Sequence, residues 1–253
     1  MSYNIEIKDG IATFMINRPE MRNAVNHAVM DGLEEFLSKV ESDDNIAYAV
    51  ITGAGDRAFC SGGDLSEFHS FRTADEAYPM LSKMAGLVYR LSILPVPVIA
   101  LVNGAAVGGG CEIATACDYR IVSRKAKAGF IQGTLAITSG WGGASQLLVK
   151  LNNHDATRKL LSEAKVHTAE QLQAIGWATE VFDEDAQTGL EQFISEMKKI
   201  HPSVHRAYKR LAILKWEQSG LGSHMLEEAA QCAKLWESDA HHEAVEKFLG
   251  KKR

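Results

Sequence analysis

The sequence predicts an α/β fold that finishes in helices alone, and three observations carry that prediction. Two alternating runs flank an Asp-Gly pair near the start; short β-branched runs then alternate with segments of 3.6-residue periodicity; and beyond about Ser195 no strand candidate remains. The expected division is a core over residues 1–195 and a helical region over 196–253.

In order along the chain, Tyr3-Asn4-Ile5-Glu6-Ile7-Lys8 and Ile11-Ala12-Thr13-Phe14-Met15-Ile16 around Asp9-Gly10 read as a β-hairpin. Asn17-Arg18-Pro19 breaks the pattern. Asn26 then caps a helix whose apolar positions are Val29, Leu33, Phe36, Leu37 and Val40. Tyr48 to Thr52 is a buried-type strand stopped by Gly53. Thr73-Ala74-Asp75-Glu76 has the form of a capping box for a long helix that Pro95-Val96-Pro97 ends. Val98–Val102 and Tyr119–Val122 are further strands on either side of a helical Glu112–Ala116. From Gly142 onward the pattern is helical, with a second capping box at Thr168-Ala169-Glu170-Gln171 and one interruption at Thr179-Glu180-Val181-Phe182. Leu211, Ile213, Leu214, Leu226, Leu235 and Phe248 give the last helices broad apolar stripes. So short a region cannot bury such stripes by itself, so it is expected to pack on the core or on another subunit.

Composition narrows the function classes. The chain has 253 residues, 46% of them hydrophobic and 23% charged, which is globular and argues against disorder. A net charge of -5 argues against nucleic-acid binding, since the one basic run is Lys251-Lys252-Arg253. The four cysteines form no CxxC pair and read as core thiols of a reducing compartment. The start MSYNIEIKDG holds no apolar signal region, and no run reaches ~18 apolar residues, so a cytoplasmic location without membrane contact is expected. No metal is expected either: no HExxH occurs, Pro202 separates His201 from His205, and His241-His242 reads as a solvated helix start.

Among the glycine-rich stretches, Gly53-Ala54-Gly55-Asp56-Arg57-Ala58 matches a dinucleotide fingerprint in letters. Gly62-Gly63 soon after it argues against the helix that fingerprint needs. Two clusters remain, Cys60-Ser61-Gly62-Gly63-Asp64 and Gly108-Gly109-Gly110, each just past a strand. Each reads either as a tight turn or as a place where backbone N–H groups approach a ligand oxygen.

With Phe59-Cys60-Ser61-Gly62-Gly63-Asp64-Leu65, Pro97-Val98-Ile99-Ala100, Asn103-Gly104-Ala105-Ala106-Val107-Gly108-Gly109-Gly110-Cys111-Glu112 and Cys117-Asp118, the sequence resembles the crotonase superfamily, the enoyl-CoA hydratase/isomerase group. Asn17-Arg18-Pro19 with Asn23-Ala24, Gly140-Trp141-Gly142-Gly143, and the segment from Glu237-Ser238-Asp239 to Phe248-Leu249-Gly250 extend the likeness over the whole chain. The resemblance implies a ββα spiral with C-terminal helices that join subunits into homotrimers or dimers of trimers. It implies acyl-coenzyme A thioesters as substrates, with coenzyme A as part of the substrate and no separate cofactor. It also implies an oxyanion hole from the N–H groups of Gly63 and Gly109, with Glu112 as acid/base. Coenzyme A is expected to be held by backbone groups along Arg22, Asn23, Ala24 and Val25 and along Gly63, Asp64, Leu65 and Ser66, with Arg22 and the tail around Lys251 of a neighbouring subunit toward its phosphates and Trp141 and Phe68 beside the acyl group.

In one place the sequence departs from that pattern. Counted without gaps, the family's second Glu falls on Gln132; shifted by two, it falls on Thr134. Gln132 can hold a water but exchanges no proton at neutral pH. The expectation is therefore enoyl-CoA hydration or double-bond isomerisation by Glu112, isomerisation being less affected by the missing acid. The alternatives are decarboxylation of a malonyl-type acyl-CoA, hydrolysis of a CoA thioester, and a non-catalytic acyl-CoA-binding scaffold.

Overall fold

The computed structural model describes residues 1–250. The hairpin forms as expected: β1 (Tyr3–Lys8) pairs antiparallel with β2 (Ile11–Ile16) across Asp9 and Gly10, whose φ angles of 50° and 74° suit a two-residue hairpin turn. There follow α1 (His27–Ser42), β3 (Tyr48–Gly53), β4 (Ala58–Cys60), α2 (Leu65–Phe68), α3 (Ala74–Ser92), β5 (Val98–Val102), β6 (Ala105–Val107), α4 (Gly109–Ala116), β7 (Tyr119–Ser123) and β8 (Lys127–Gly129). A 3-10 turn over Gln132–Leu135 leads to α5 (Gly143–Lys150), α6 (His154–Glu163), β9 (His167–Thr168), α7 (Ala169–Ala174), β10 (Glu180–Phe182) and α8 (Ala186–Ile194). The chain then runs through α9 (Pro202–Gln218), α10 (Leu221–Trp236) and α11 (Asp239–Gly250).

The strands make two sheets, ordered β1-β2-β3-β5-β7-β10 and β4-β6-β8-β9. After the hairpin the chain three times lays a longer strand in the first sheet (β3, β5, β7) and a short one in the second (β4, β6, β8), each pair of successive strands within a sheet in parallel register. This is a ββα spiral. The short strands β4 (Ala-Phe-Cys), β6 (Ala-Ala-Val) and β8 (Lys-Ala-Gly) have three residues each, too few to carry a detectable alternation. Both capping boxes form, with Thr73 and Glu76 at the start of α3 and Thr168 and Gln171 at the start of α7.

Two expectations need correction. Helix α4 begins at Gly109, three residues before the predicted Glu112. Glycine is a poor helix former, but a Cβ at Gly110 would lie 2.1 Å from the Cys60 carbonyl oxygen, so close packing against β4 requires glycine there. His241 does not lie on a solvated helix start. It is 2% exposed, packs on the Trp236 ring, and its Nδ1 lies 2.7 Å from the Leu135 carbonyl oxygen.

The helical region joins the main core: Ile213, Trp216, Met225, Cys232 and Trp236 belong to the same apolar cluster as Phe14, Phe36 and Trp141. On α9, Val204, Tyr208, Leu211 and Leu214 stay exposed. Among the described residues no helix is long and apolar enough to cross a membrane.

Candidate active site

The site is a cavity of about 140 Å³ where the ends of β4 and β6 meet α3, α10 and the 132–141 segment. Gly63 and Gly109 both line it. Gly63 forms a parallel bridge with Val25, in which Val25 N–H donates to Gly62 O at 2.8 Å and Asp64 N–H donates to Val25 O at 2.9 Å. Those two bonds leave the Gly63 N–H, lying between them, out of the pairing. Gly109 opens α4, where a first-turn amide has no acceptor within its helix. Their two segments are held close: a Cβ on Gly62, whose φ is 91°, would lie 3.1 Å from Gly109 N. Two amides outside backbone pairing that line one cavity, one of them at a helix N-terminus, suit an oxygen that gains negative charge.

Trp141 covers both glycines. A Cβ added to Gly109 would lie 2.1 Å from its Cζ3, and one added to Gly63 would lie 3.6 Å from its Cζ2. The same residue holds Glu112 by its backbone.

Glu112 sits in the first turn of α4, 2% exposed. Its Oε2 accepts from Trp141 N–H at 2.8 Å and Gly143 N–H at 2.9 Å; its Oε1 accepts from Gln132 Nε2 at 2.9 Å and, weakly, from Gly140 N–H at 3.4 Å. Burial, with the Glu228 carboxylate adding to it, pushes Glu112 up to about 8 against the pull of the three backbone amides. Glu112 is the one carboxyl group lining the cavity among the described residues. Of the two positions counted for a second acid, Gln132 meets Glu112, whereas Thr134 turns its hydroxyl to Ile131 O at 2.7 Å.

Of the remaining expected residues, Arg22, Asn23, Ala24, Val25, Asp64 and Ser66 are not among those that line the cavity. Arg22 and Asn23 have positive φ (52° and 55°), and Arg22 is exposed. Asn23 is fully buried: its amide donates to Ala54 O and Ala58 O and accepts from Arg18 N–H, so its side chain fixes the loop rather than facing the cavity. Ala24 O accepts from Arg18 Nη1, and Val25 contributes the bridge to Gly63. Asp64 accepts from the Ser66 amide and hydroxyl and lies 2.8 Å from Arg18. Burial alone would raise Asp64, but Ser66 and Arg18 together hold it below the usual carboxylate range. Leu65 and Phe68 line the cavity. Lys251 lies outside the described residues.

Arg18 thus ties the 18–25 loop to the Gly62–Asp64 turn. Arg18→Ala is expected to cost about 3 kcal/mol or more, because it leaves a 3%-exposed Asp64 without its counter-ion. A urea titration checks it; a loss under ~1 kcal/mol would mean the pair is solvent-screened.

Sequence reading missed Leu81 on α3, Ile137, and Cys232 and Trp236 on α10 as cavity residues. All are apolar side chains in or against the core. Nothing in their local pattern says that helices so far apart in sequence share one cavity wall.

A model of the enoyl-CoA hydratase/isomerase family matches residues 6–253. The chain belongs to that family. Among curated relatives of the family, it is 35% identical over 78% of its length to crotonyl-CoA hydratase of Syntrophomonas wolfei, covering 72% of that protein. It is 31% identical over 84% of its length to ethylmalonyl-CoA decarboxylase of Xenopus tropicalis, covering 72% of it. A solved enoyl-CoA hydratase from Bacillus halodurans superposes with a TM-score of 0.88 over 98% of this chain and 100% of that one, at 21% identity, which is a likeness of fold.

Proposed function

We propose that this family member acts on an acyl-coenzyme A thioester through its enolate, with the thioester oxygen between the N–H groups of Gly63 and Gly109 and Glu112 as the proton carrier. The reaction that fits best is decarboxylation of a malonyl-type acyl-CoA. One observation carries this: the single carboxyl group that lines the cavity among the described residues has a neutral amide, Gln132, as its side-chain partner.

Loss of carbon dioxide leaves its electron pair on Cα, as an enolate that two preorganised amides stabilise; no base is needed, only one acid to protonate Cα. With a pKa near 8, Glu112 is mostly protonated at neutral pH, so it is ready to give a proton and does not repel the carboxylate of the substrate. The proton of a neutral Glu112 has an acceptor if Gln132 turns its amide oxygen inward. Otherwise the cavity walls are chiefly apolar, with Phe68, Leu81, Leu135, Ile137 and Trp236. Likeness to an ethylmalonyl-CoA decarboxylase accords with this reading.

Double-bond isomerisation is the second reading, since one carboxyl group can take a proton at one carbon and return it at another. It needs Glu112 ionised at rest, which the raised pKa disfavours near pH 7. The deciding experiment is mass spectrometry in D₂O with methylmalonyl-, ethylmalonyl-, 3-enoyl- and crotonyl-CoA. Loss of carbon dioxide with one deuterium gained at Cα supports decarboxylation; isomerised 3-enoyl-CoA, or water added to crotonyl-CoA, with both malonyl esters untouched, rejects it.

Gln132→Glu gives a second check. A second carboxyl group 2.9 Å from Glu112 keeps one proton between the two, an acid and a base side by side. Crotonyl-CoA hydration is expected to rise by ~10-fold or more over wild type, read as loss of enoyl absorbance. No gain would mean that Gln132 is not what withholds hydration.

We also infer a homotrimer, supported by the exposed apolar residues of α9 and by the family resemblance. Light scattering on the purified protein tests it.

A further inference from the structure

Glu228 lies outside the cavity on α10 and has no counterpart among the residues considered above. Its Oε1 accepts from Ser139 Oγ at 2.5 Å and Ala144 N–H at 3.0 Å; its Oε2 accepts from Ser145 N–H at 2.8 Å and Ser145 Oγ at 2.6 Å. These donors flank the Gly140, Trp141 and Gly143 amides that hold Glu112. One turn of backbone therefore serves two carboxylates, Glu112 from α4 and Glu228 from α10.

The same face of α10 presses on this turn at two further points. A Cβ on Gly142, whose φ is 91°, would lie 2.3 Å from Met225 Cε, and one on Gly140 would lie 2.8 Å from Cys232 Sγ. Met225, Glu228 and Cys232 are spaced i, i+3, i+7 and so share one helix face. The two apolar contacts fix how close the turn comes. Glu228 fixes which way its amides point, because four donors on one carboxylate leave the 139–145 backbone little freedom to rotate.

We propose that Glu228 is a positioning residue for the proton carrier: by holding Ser139, Ala144 and Ser145, it aims the Trp141 and Gly143 amides at Glu112 and sets a second negative charge behind them. This rests on Glu112 being the proton carrier. The titratable groups facing Glu112 are Cys111 on its own helix and Cys232 and Glu228 on α10; Gln132 and the 140–143 amides complete its surroundings. Burial keeps both thiols protonated, so Glu228 is the other charge in the set. Its negative charge favours the protonated form of Glu112.

The test compares wild type, E228Q and S145A by kcat, KM and the pH dependence of kcat. E228Q removes the charge and misplaces one end of the group against an amide N–H. kcat is expected to fall ~10- to 100-fold with KM within about twofold. The alkaline fall of activity, set by ionisation of Glu112, is expected to move to lower pH by about one unit. S145A, which removes one hydroxyl and keeps the charge, is expected to lower kcat by only a few fold and to leave the pH limb in place. If E228Q folds and keeps the wild-type kcat and pH profile, the proposal is wrong. If E228Q does not fold, a wild-type kcat in S145A overturns it. A fall in melting temperature with kcat and the pH limb unchanged makes Glu228 merely structural and equally overturns it. Glu112→Gln separates this proposal from the functional reading: if that variant keeps full activity, the functional reading fails, whereas an inactive Glu112→Gln beside a wild-type-like E228Q rejects the role of Glu228 alone.

Discussion

Glu112→Gln is expected to lower kcat by ~10²- to 10⁴-fold, the usual weight of one general acid, while the protein stays folded. The variant fits the same shell. Its amide oxygen can take the Trp141 and Gly143 N–H groups, and its amide nitrogen can donate to Gln132 once that amide turns over. Only the long Gly140 contact loses its acceptor. A variant that binds the CoA ester as wild type does, yet fails to place deuterium at Cα in D₂O, would identify Glu112 as the proton source. Undiminished turnover would remove it from the mechanism and leave the two amides as the whole device.

The same substitution has a pH signature in stability. Glu112 is raised to about 8 in the folded protein, against ~4.3 for an unperturbed Glu in the unfolded chain. Between those values the folded state holds a proton that the unfolded state has released. The stabilising contribution is therefore fully present below pH ~4, falls by up to ~1.4 kcal/mol per pH unit as pH rises, and is gone above pH ~8. Melting temperatures of wild type minus variant, measured from pH 5 to 9, should decline and then level off. A difference that rises with pH would mean that the four donors outweigh burial and that Glu112 rests ionised, which would favour isomerisation.

Part of this site was legible in the sequence. The glycines at 62–63 and 108–110 are visible because backbones packed this closely exclude side chains. Glu112 is visible because it follows the second cluster by one helical turn. Gln132 was placed by counting, and the structure puts it against Glu112. What was not legible is whatever depends on contacts between distant segments. That the Asn23 side chain is spent on Ala54 and Ala58 depends on such contacts. Glu228 is one of two adjacent acidic residues on α10, and only the fold brings it to the turn behind Glu112. The spiral was legible in part: its longer strands have β-branched runs of five or six residues, but the three-residue strands of the second sheet owe their conformation to their neighbours.

Gly109→Ala is expected to damage both stability and catalysis, and the geometry separates it from the same change at Gly63. The new methyl group would fall 2.1 Å from Trp141 Cζ3, on an indole that is 4% exposed. The ring cannot simply withdraw, because the Trp141 amide is fixed to Glu112 at 2.8 Å and the next residue, Gly142, is backed by Met225. Overpacking of this kind costs about 1–3 kcal/mol. Because the Gly109 amide is half of the proposed oxyanion hole, displacing it should lower kcat by ~10²- to 10³-fold. At Gly63 the nearest atoms to a new Cβ are Phe68 Cδ2 at 3.3 Å and Trp141 Cζ2 at 3.6 Å, close to ordinary contact, so Gly63→Ala should cost under ~1 kcal/mol of stability. Trp141→Ala supplies the control: with the ring gone, Gly109→Ala should lose most of its stability cost, a non-additivity that two residues in contact must show. Equal costs for Gly109→Ala with and without the indole would mean that the ring and the amide are not in contact, and the close cover over the two amides would have to be abandoned.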